Sequence, residues 1–296
     1  MSQLDKQDPR TQFPQPPYPP QSQELPGGTN AMDPKPDHGE TSYLGTGRMP
    51  GYRVLVTGAD SGIGRAAAIA MAKEGADVAL SGLPEEEEDL QEVRDVIADL
   101  GRKAIILAGD LTDEATCGQV VADAVSELGG LDSLVIVAGH QKVNEDITQM
   151  STEDFDSTVK TNLYAMFWLC RAAVPHMAPG STIVTTASVA AYQPQPRMID
   201  YAMTKAGIIT FTNGLAQQLA SRGIRANCIV PGPVWTPLQP ASYVAEEIEH
   251  YGEGTPFGRP GQPVELGAAY VHLAGPESSY TSGSTLTIAG ATGVAL

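Results

Sequence analysis

The sequence predicts an α/β fold, a doubly wound parallel sheet of seven strands flanked by helices and preceded by a proline-rich N-terminal arm. Three observations carry the prediction. From Arg53 onward, short apolar runs alternate with helical stretches, the order expected of βαβ units. A glycine-rich turn, Thr57-Gly58-Ala59-Asp60-Ser61-Gly62-Ile63-Gly64, joins the first of those runs to an alanine-rich helix. Residues 1–50 hold ten of the chain's 23 prolines and almost no periodic apolar pattern, which makes them an arm and not a second domain.

The arm reads either as a free tail or as an extended strap on a neighbouring subunit, and Phe13, Tyr18 and Tyr43 favour the strap. Residues 51–296 form the folded domain. Its strands read as Arg53 to Thr57, Asp77 to Ser81, Lys103 to Ala108, Ser133 to Val137, Ser181 to Thr186, Arg225 to Ile229 and Ser284 to Ile288. Seven strands with helices between them make a doubly wound sheet. The acidic run Glu85 to Asp89 follows Pro84 at the start of a helix, where negative charge suits the helix dipole.

Composition narrows the partners. The 296 residues carry 18 Lys and Arg against 35 Asp and Glu, a net charge of −17. That balance argues against nucleic acid and against an anionic membrane surface. It leaves room for an anionic cofactor, because backbone N–H groups bind phosphate even within a negative field. Cys117, Cys170 and Cys228 lack the paired spacing of a zinc site or a disulfide framework and read as reduced and mostly buried. No His, Cys and carboxylate cluster has metal-ligand spacing, so no metal is expected. No apolar run reaches about 18 residues and the N-terminus lacks a basic-then-apolar order, so the expectation is a soluble, cytoplasmic protein.

Chemistry enters through two motifs. In the glycine-rich turn, Gly58 permits a tight turn, Gly62 lets the backbone approach a pyrophosphate and Gly64 lets the helix pack on the strand. The helix that follows points its free N–H groups at the phosphates. Further on, Tyr201-Ala202-Met203-Thr204-Lys205 places Tyr201 and Lys205 on one helix face. A phenol is a poor base at neutral pH unless a nearby cation stabilises its anion, and Lys205 supplies that cation. Ser188, thirteen positions before Tyr201 at a strand end, would hold the substrate oxygen in line. Hydride transfer with Tyr201 as general acid or base follows.

Together these residues resemble the short-chain dehydrogenase/reductase family, in its single-domain branch, over roughly residues 50 to 296. The resemblance implies a Rossmann fold and a catalytic tetrad of Asn162, Ser188, Tyr201 and Lys205, with Asn162 holding a water in the proton path. It implies cofactor contacts from Gly58, Asp60, Ser61, Gly62, Ile63, Gly64, Asp110, Leu111, Ala138, Gly139, Tyr201, Lys205, Pro231, Gly232, Val234 and Thr236. The arm, the acidic segment and Gly258 to Pro263 resemble a bacterial subgroup of general-stress and glucose-dehydrogenase-like oxidoreductases, which implies a homotetramer. The implied activity is an NAD(P)-dependent dehydrogenase or reductase acting on a small carbonyl or alcohol. The rival is a dinucleotide-binding sensor without turnover, suggested by Ile136-Val137-Ala138-Gly139 where the family usually shows Asn-Asn-Ala-Gly.

Cofactor choice rests on fewer residues. Ser81-Gly82-Leu83 ends the second strand without the acid that favours NAD or the base that favours NADP. Asp60 and the nearby glutamates disfavour a 2′-phosphate while the small Ser81 and Gly82 leave room for one, so the expected cofactor is NAD or NADP, with NAD slightly preferred. His140 reads as a surface residue, Tyr192 and Gln193 as candidate pocket residues, and Trp235 to Tyr251 as a lid over the nicotinamide. Phe167 and Trp168 read as core or interface packing.

Overall fold

Burial of short aliphatic runs on both faces leaves a strand no partner but another covered strand, and the sheet forms on that basis. The computed structural model describes residues 2–293. Its strands are β1 (Arg53–Thr57), β2 (Asp77–Gly82), β3 (Ala104–Ala108), β4 (Ser133–Ile136), β5 (Thr182–Thr186), β6 (Arg225–Pro231) and β7 (Thr285–Ile288). They form one parallel sheet in the order β3-β2-β1-β4-β5-β6-β7. Side chains alternate between two cores. Val54, Val56, Val78 and Leu80 pack under α1 (Gly62–Lys73), α2 (Glu87–Asp99) and α8 (Val264–Ala274). Leu55, Ala79 and Leu134 pack under α3 (Glu114–Leu128), α5 (Ala165–Ala173) and α6 (Ile199–Leu219). Two shorter helices, α4 (Thr152–Val159) and α7 (Ala245–Glu249), complete the set.

Strand ends depart from the sequence reading by a residue or two, with local causes. β4 stops at Ile136 because the Val137 N–H turns to the Thr57 hydroxyl, 3.2 Å away, instead of the ladder. β6 runs on to Pro231, paired in register with Ile288, and the Gly232 N–H makes the next bond to the Ile288 carbonyl at 2.9 Å. The switch point of strand order lies between β1 and β4, where the chain turns outward on both sides of the same crevice.

Residues 2–50 contain no strand and only one short 3₁₀ turn, Thr29–Ala31. The expected reach toward a neighbouring subunit is not how their aromatics are used. Tyr18 is buried against Trp235, with ring centroids 4.2 Å apart, and Phe13 lies under the Arg259 guanidinium. Tyr43 joins the core beside α1 and α8. The reason is a set of polar anchors that the apolar pattern does not reveal. Glu74, fully buried at the C-cap of α1, accepts hydrogen bonds from the Tyr43 hydroxyl (2.8 Å), the Thr46 and Arg48 N–H groups (2.8 and 3.0 Å) and the Arg48 guanidinium (2.7 Å). Burial alone would raise its pKa, but these donors hold it down to about 2.

Glu74 therefore stabilises the fold as a carboxylate. Its folded pKa lies below the unfolded value, so the stability it confers is present above about pH 4 and fades as pH falls toward about 2. Glu74→Ala takes from the half-buried Arg48 guanidinium and the buried Tyr43 phenol the carboxylate they share, leaving them only each other and, for Arg48, the more distant Glu277, at an expected cost of about 3 kcal/mol at pH 7. Thermal unfolding should show a fall of roughly 6–12 °C. A variant that melts with the wild type would mean that the arm's anchor is uncoupled from the sheet.

Candidate active site

At the C-terminal ends of β1 and β4 the chain has no room for side chains, and a cleft opens there. Gly58 has φ +63°, and a Cβ on it would meet the Ala138 backbone at 2.9 Å. A Cβ on Gly64 would stand 1.8 Å from the Gly58 carbonyl oxygen, so only glycine lets α1 seat on β1. A Cβ on Gly62 would press on Thr236 at 3.0 Å. The first turn of α1 has no side-chain cap from Ser61, and its N–H groups face the cleft with the positive end of the helix dipole. The Thr57 hydroxyl accepts from the Val137 and Ala138 N–H groups, at 3.2 and 3.3 Å, and ties β4 to the glycine-rich turn.

The cleft, about 440 Å³ in volume, is lined by every cofactor residue inferred above and by Ser188. Beyond the glycine-rich turn its wall is acidic. Asp60 is buried, and the Gly82 backbone brings it near Glu86, since a Cβ on Gly82 would sit 3.2 Å from one carboxylate and 3.3 Å from the other. Burial first, and then the charge of Asp60, raise the Glu86 pKa to about 8. The Glu86 carboxylate also accepts the Leu83 N–H at 2.8 Å, which shapes the turn into α2. Arg65, the nearest guanidinium, is committed to Glu40 and Glu92 at 3.1 and 3.2 Å.

Across the cleft, α6 carries Tyr201 and Lys205. Burial pushes the Tyr201 phenol up to about 12, with a hydrogen bond from Ser188 acting against it. Lys205 is 3% exposed, donates to the Thr186 carbonyl at 3.1 Å, and lies 5.3 Å from the centroid of the Tyr201 ring. No carboxylate pairs with it among the described residues, and burial lowers its pKa to about 8. Proximity of the two side chains follows the sequence reading; the phenol, however, is held protonated by burial more than it is acidified by the ammonium.

Asn162 is the one tetrad residue that does not line the cleft. It lies in a π turn, Lys160–Tyr164, between α4 and α5, and the extra residue in that turn swings its side chain inward. Its amide oxygen accepts the His140 N–H at 2.8 Å, and its nitrogen donates to the His140 carbonyl and the Thr204 hydroxyl at 2.9 and 3.0 Å. It holds the loop after β4 in place. His140 itself lines the cleft, a residue the sequence reading set aside, as do Leu25, Pro26 and Gly27 of the arm. Nothing in the local sequence around Leu25 signals a site. Trp235, at the start of the segment read as a lid, is fully buried, with Tyr18, Tyr243 and Tyr251 around it. The three cysteines are buried, and no helix among the described residues is long and apolar enough to cross a membrane.

Residues 58–291 match the family model described as enoyl-(acyl carrier protein) reductase. The chain is 48% identical over 284 residues to the uncharacterized oxidoreductase YghA of Escherichia coli, covering 96% of this chain and 97% of that one. It is 40% identical over 275 residues to the glucose and ribitol dehydrogenase of Daucus carota, covering 91% and 94%. A crystal structure of a short chain dehydrogenase from Burkholderia cenocepacia in complex with NADP superposes with a TM-score of 0.76 at 34% identity, covering 82% of this chain and 98% of that one.

The buried, unpaired ammonium has a thermodynamic signature. Lys205 titrates lower in the fold than in the unfolded chain, so its charge costs stability below about pH 8, and the cost vanishes as pH rises toward the unfolded value. Lys205→Met should melt above the wild type at pH 7, with the difference closing between pH 8 and 10. A variant that melts lower at pH 7 would show that the Thr186 hydrogen bond outweighs the buried charge.

Proposed function

This chain belongs to the short-chain dehydrogenase/reductase family, and on that premise we propose that it transfers a hydride between NAD(H) and the carbonyl or alcohol carbon of a small molecule, with Tyr201 as general acid and base. The single observation that carries the reading is the meeting of Tyr201, Ser188 and Lys205 in the cleft that the glycine-rich turn floors. The cleft fits a dinucleotide. Its floor is a cradle that a Cβ at Gly58, Gly62 or Gly64 would obstruct, and the start of α1 offers N–H groups to a pyrophosphate. Gly58 to Gly64 would hold the phosphates, Asp110 and Leu111 would flank the adenine, and Val234 and Thr236 would meet the nicotinamide end. The dinucleotide, when bound, supplies or accepts the hydride.

The chain's own residues manage the proton. At neutral pH the Tyr201 phenol carries its proton and can donate it to the oxygen of a carbonyl substrate. Ser188, whose hydroxyl oxygen accepts the Ala190 N–H at 3.2 Å, keeps a rotating hydroxyl with which to fix the substrate oxygen. Lys205 spends one N–H on Thr186 and keeps two for a ribose and for the developing phenolate. Asn162 acts through the His140 backbone, as a positioning residue. Polar side chains along the cleft, His140, Ser157, Thr161 and Gln239, suit a hydroxylated substrate, in keeping with the sugar and polyol in the name of the carrot relative.

The case for NAD(H) is electrostatic. Asp60, Glu85 and Glu86 line the cleft, and its only basic side chains among the described residues are Lys205 and His140. The Burkholderia protein is described with NADP; here a 2′-phosphate would enter a wall that holds acids and no guanidinium, and its charge would press Asp60 and Glu86 further toward their neutral forms.

Tyr201→Phe should lower kcat by at least about 10³-fold while leaving NADH binding within about threefold, as measured by steady-state rates and fluorescence titration on the same protein. Turnover at the wild-type rate would overturn the role of Tyr201, and binding without turnover in the wild type would favour a sensor. In parallel assays with aldoses, polyols and simple aldehydes, kcat/KM with NAD(H) should exceed that with NADP(H) by at least about tenfold, equivalent to about 1.4 kcal/mol. The opposite preference would refute the electrostatic argument.

A further inference from the structure

The first fifty residues make the least obvious contribution to the cleft. Leu25, Pro26 and Gly27 line it together with the glycine-rich turn, though they lie more than thirty positions upstream in the chain. Their path can be followed by its contacts. The Gln23 N–H donates to the Pro240 carbonyl at 2.8 Å, and a Cβ on Gly27 would stand 2.7 Å from the Pro237 carbonyl oxygen. This fixes residues 23–27 to the rim that Thr236, Leu238 and Gln239 form after β6. Two residues later the Thr29 N–H reaches the Asp89 carboxylate at 3.4 Å, and the Asn30 side chain donates to Glu92 at 2.8 Å. Those acids belong to α2, whose preceding turn, Leu83 to Glu86, forms the opposite rim. The chain from Gln23 to Asn30 thus passes from one rim to the other across the mouth of the cleft.

Its ends are anchored firmly, and its middle is held only by the Gly27 contact with Pro237 and by the Gly28 N–H, which donates to the Gln23 side chain at 2.7 Å. Upstream, Tyr18 is buried against Trp235 and its N–H bonds the Glu249 carbonyl at 2.9 Å. Downstream, the Trp235 indole donates to the Pro34 carbonyl at 2.8 Å, and the Asp37 N–H bonds the Gln262 side chain at 2.9 Å. Between these points Leu25 is 38% exposed and Glu24 is exposed. A short exposed stretch between firm anchors opens locally at far less cost than unfolding either anchor.

We propose that residues 24–28 are a strap across the cofactor cleft, beneath which a bound dinucleotide lies, and that opening of the strap gates both entry and release of the cofactor. The proposal rests on the dinucleotide reading of the cleft. It gives the arm a function within its own chain: the strap covers the pyrophosphate-binding floor and ties the post-β6 segment to α2, so the two rims move apart only when the strap does.

The test uses the full-length protein and NADH, with association and chase-induced dissociation followed by stopped-flow fluorescence. Two variants loosen the strap by different means. Leu25→Gly with Pro26→Gly removes its stiffness and its apolar side chain, and Gly27→Val drives a side chain into the Pro237 carbonyl and lifts the strap from that rim. Both should raise the association and the dissociation rate together, each by about tenfold or more. The free variants should melt within about 3 °C of the wild type, because the anchors at Tyr18 and Pro34 remain. A rise in the dissociation rate alone would make the strap a wall contact and overturn the gate, as would unchanged rates in both variants. Failure of the wild type to bind NADH or NADPH would instead bring down the dinucleotide reading, and it would show before any variant is compared.

Discussion

The seat of α1 on β1 governs the rest of the site. With a Cβ on Gly64 only 1.8 Å from the Gly58 carbonyl oxygen, the helix axis can approach the strand only if position 64 lacks a side chain. That approach aims the helix N-terminus into the crevice at the switch point between β1 and β4. It also sets Gly62 against Thr236, so the post-β6 segment is placed by the same contact that makes the phosphate cradle. One close approach in the backbone thereby fixes the floor of the cleft and one of its rims.

Much of this was legible because it depends on residue types whose physics is local. Glycines at a strand-to-helix turn, aliphatic runs of strand length, and a Tyr and Lys four residues apart on a helix each announce themselves within a short window. The less legible features are long-range polar contacts. Thr57 stands where a strand ends and gives no sign that its hydroxyl will accept the Val137 and Ala138 N–H groups and tie β4 to the glycine-rich turn. Glu74 looks like a surface acid at the end of a helix, yet it organises the arm from Tyr43 to Arg48. The arm itself has the composition of a tail, because its order comes from single anchors spaced several residues apart and not from a periodic apolar face. Asn162 was found by type and position, but its engagement with the His140 backbone depends on a π turn that no spacing rule encodes.

The site carries its chemistry at a cost to stability that the surrounding structure absorbs. Lys205 is a buried cation without a carboxylate, and across the cleft Asp60 and Glu86 are carboxylates forced together by the narrow Gly82 backbone. Each is pushed toward its neutral form, by burial first and, for Glu86, by the neighbouring charge as well. Direct pairing would relieve both, and the fold prevents it by putting the lysine on α6 and the acids on the far wall, with the floor of the cleft between them. The charge arrangement therefore leaves the lysine on α6 and the acids on the turns after β1 and β2 as separate groups lining one cleft.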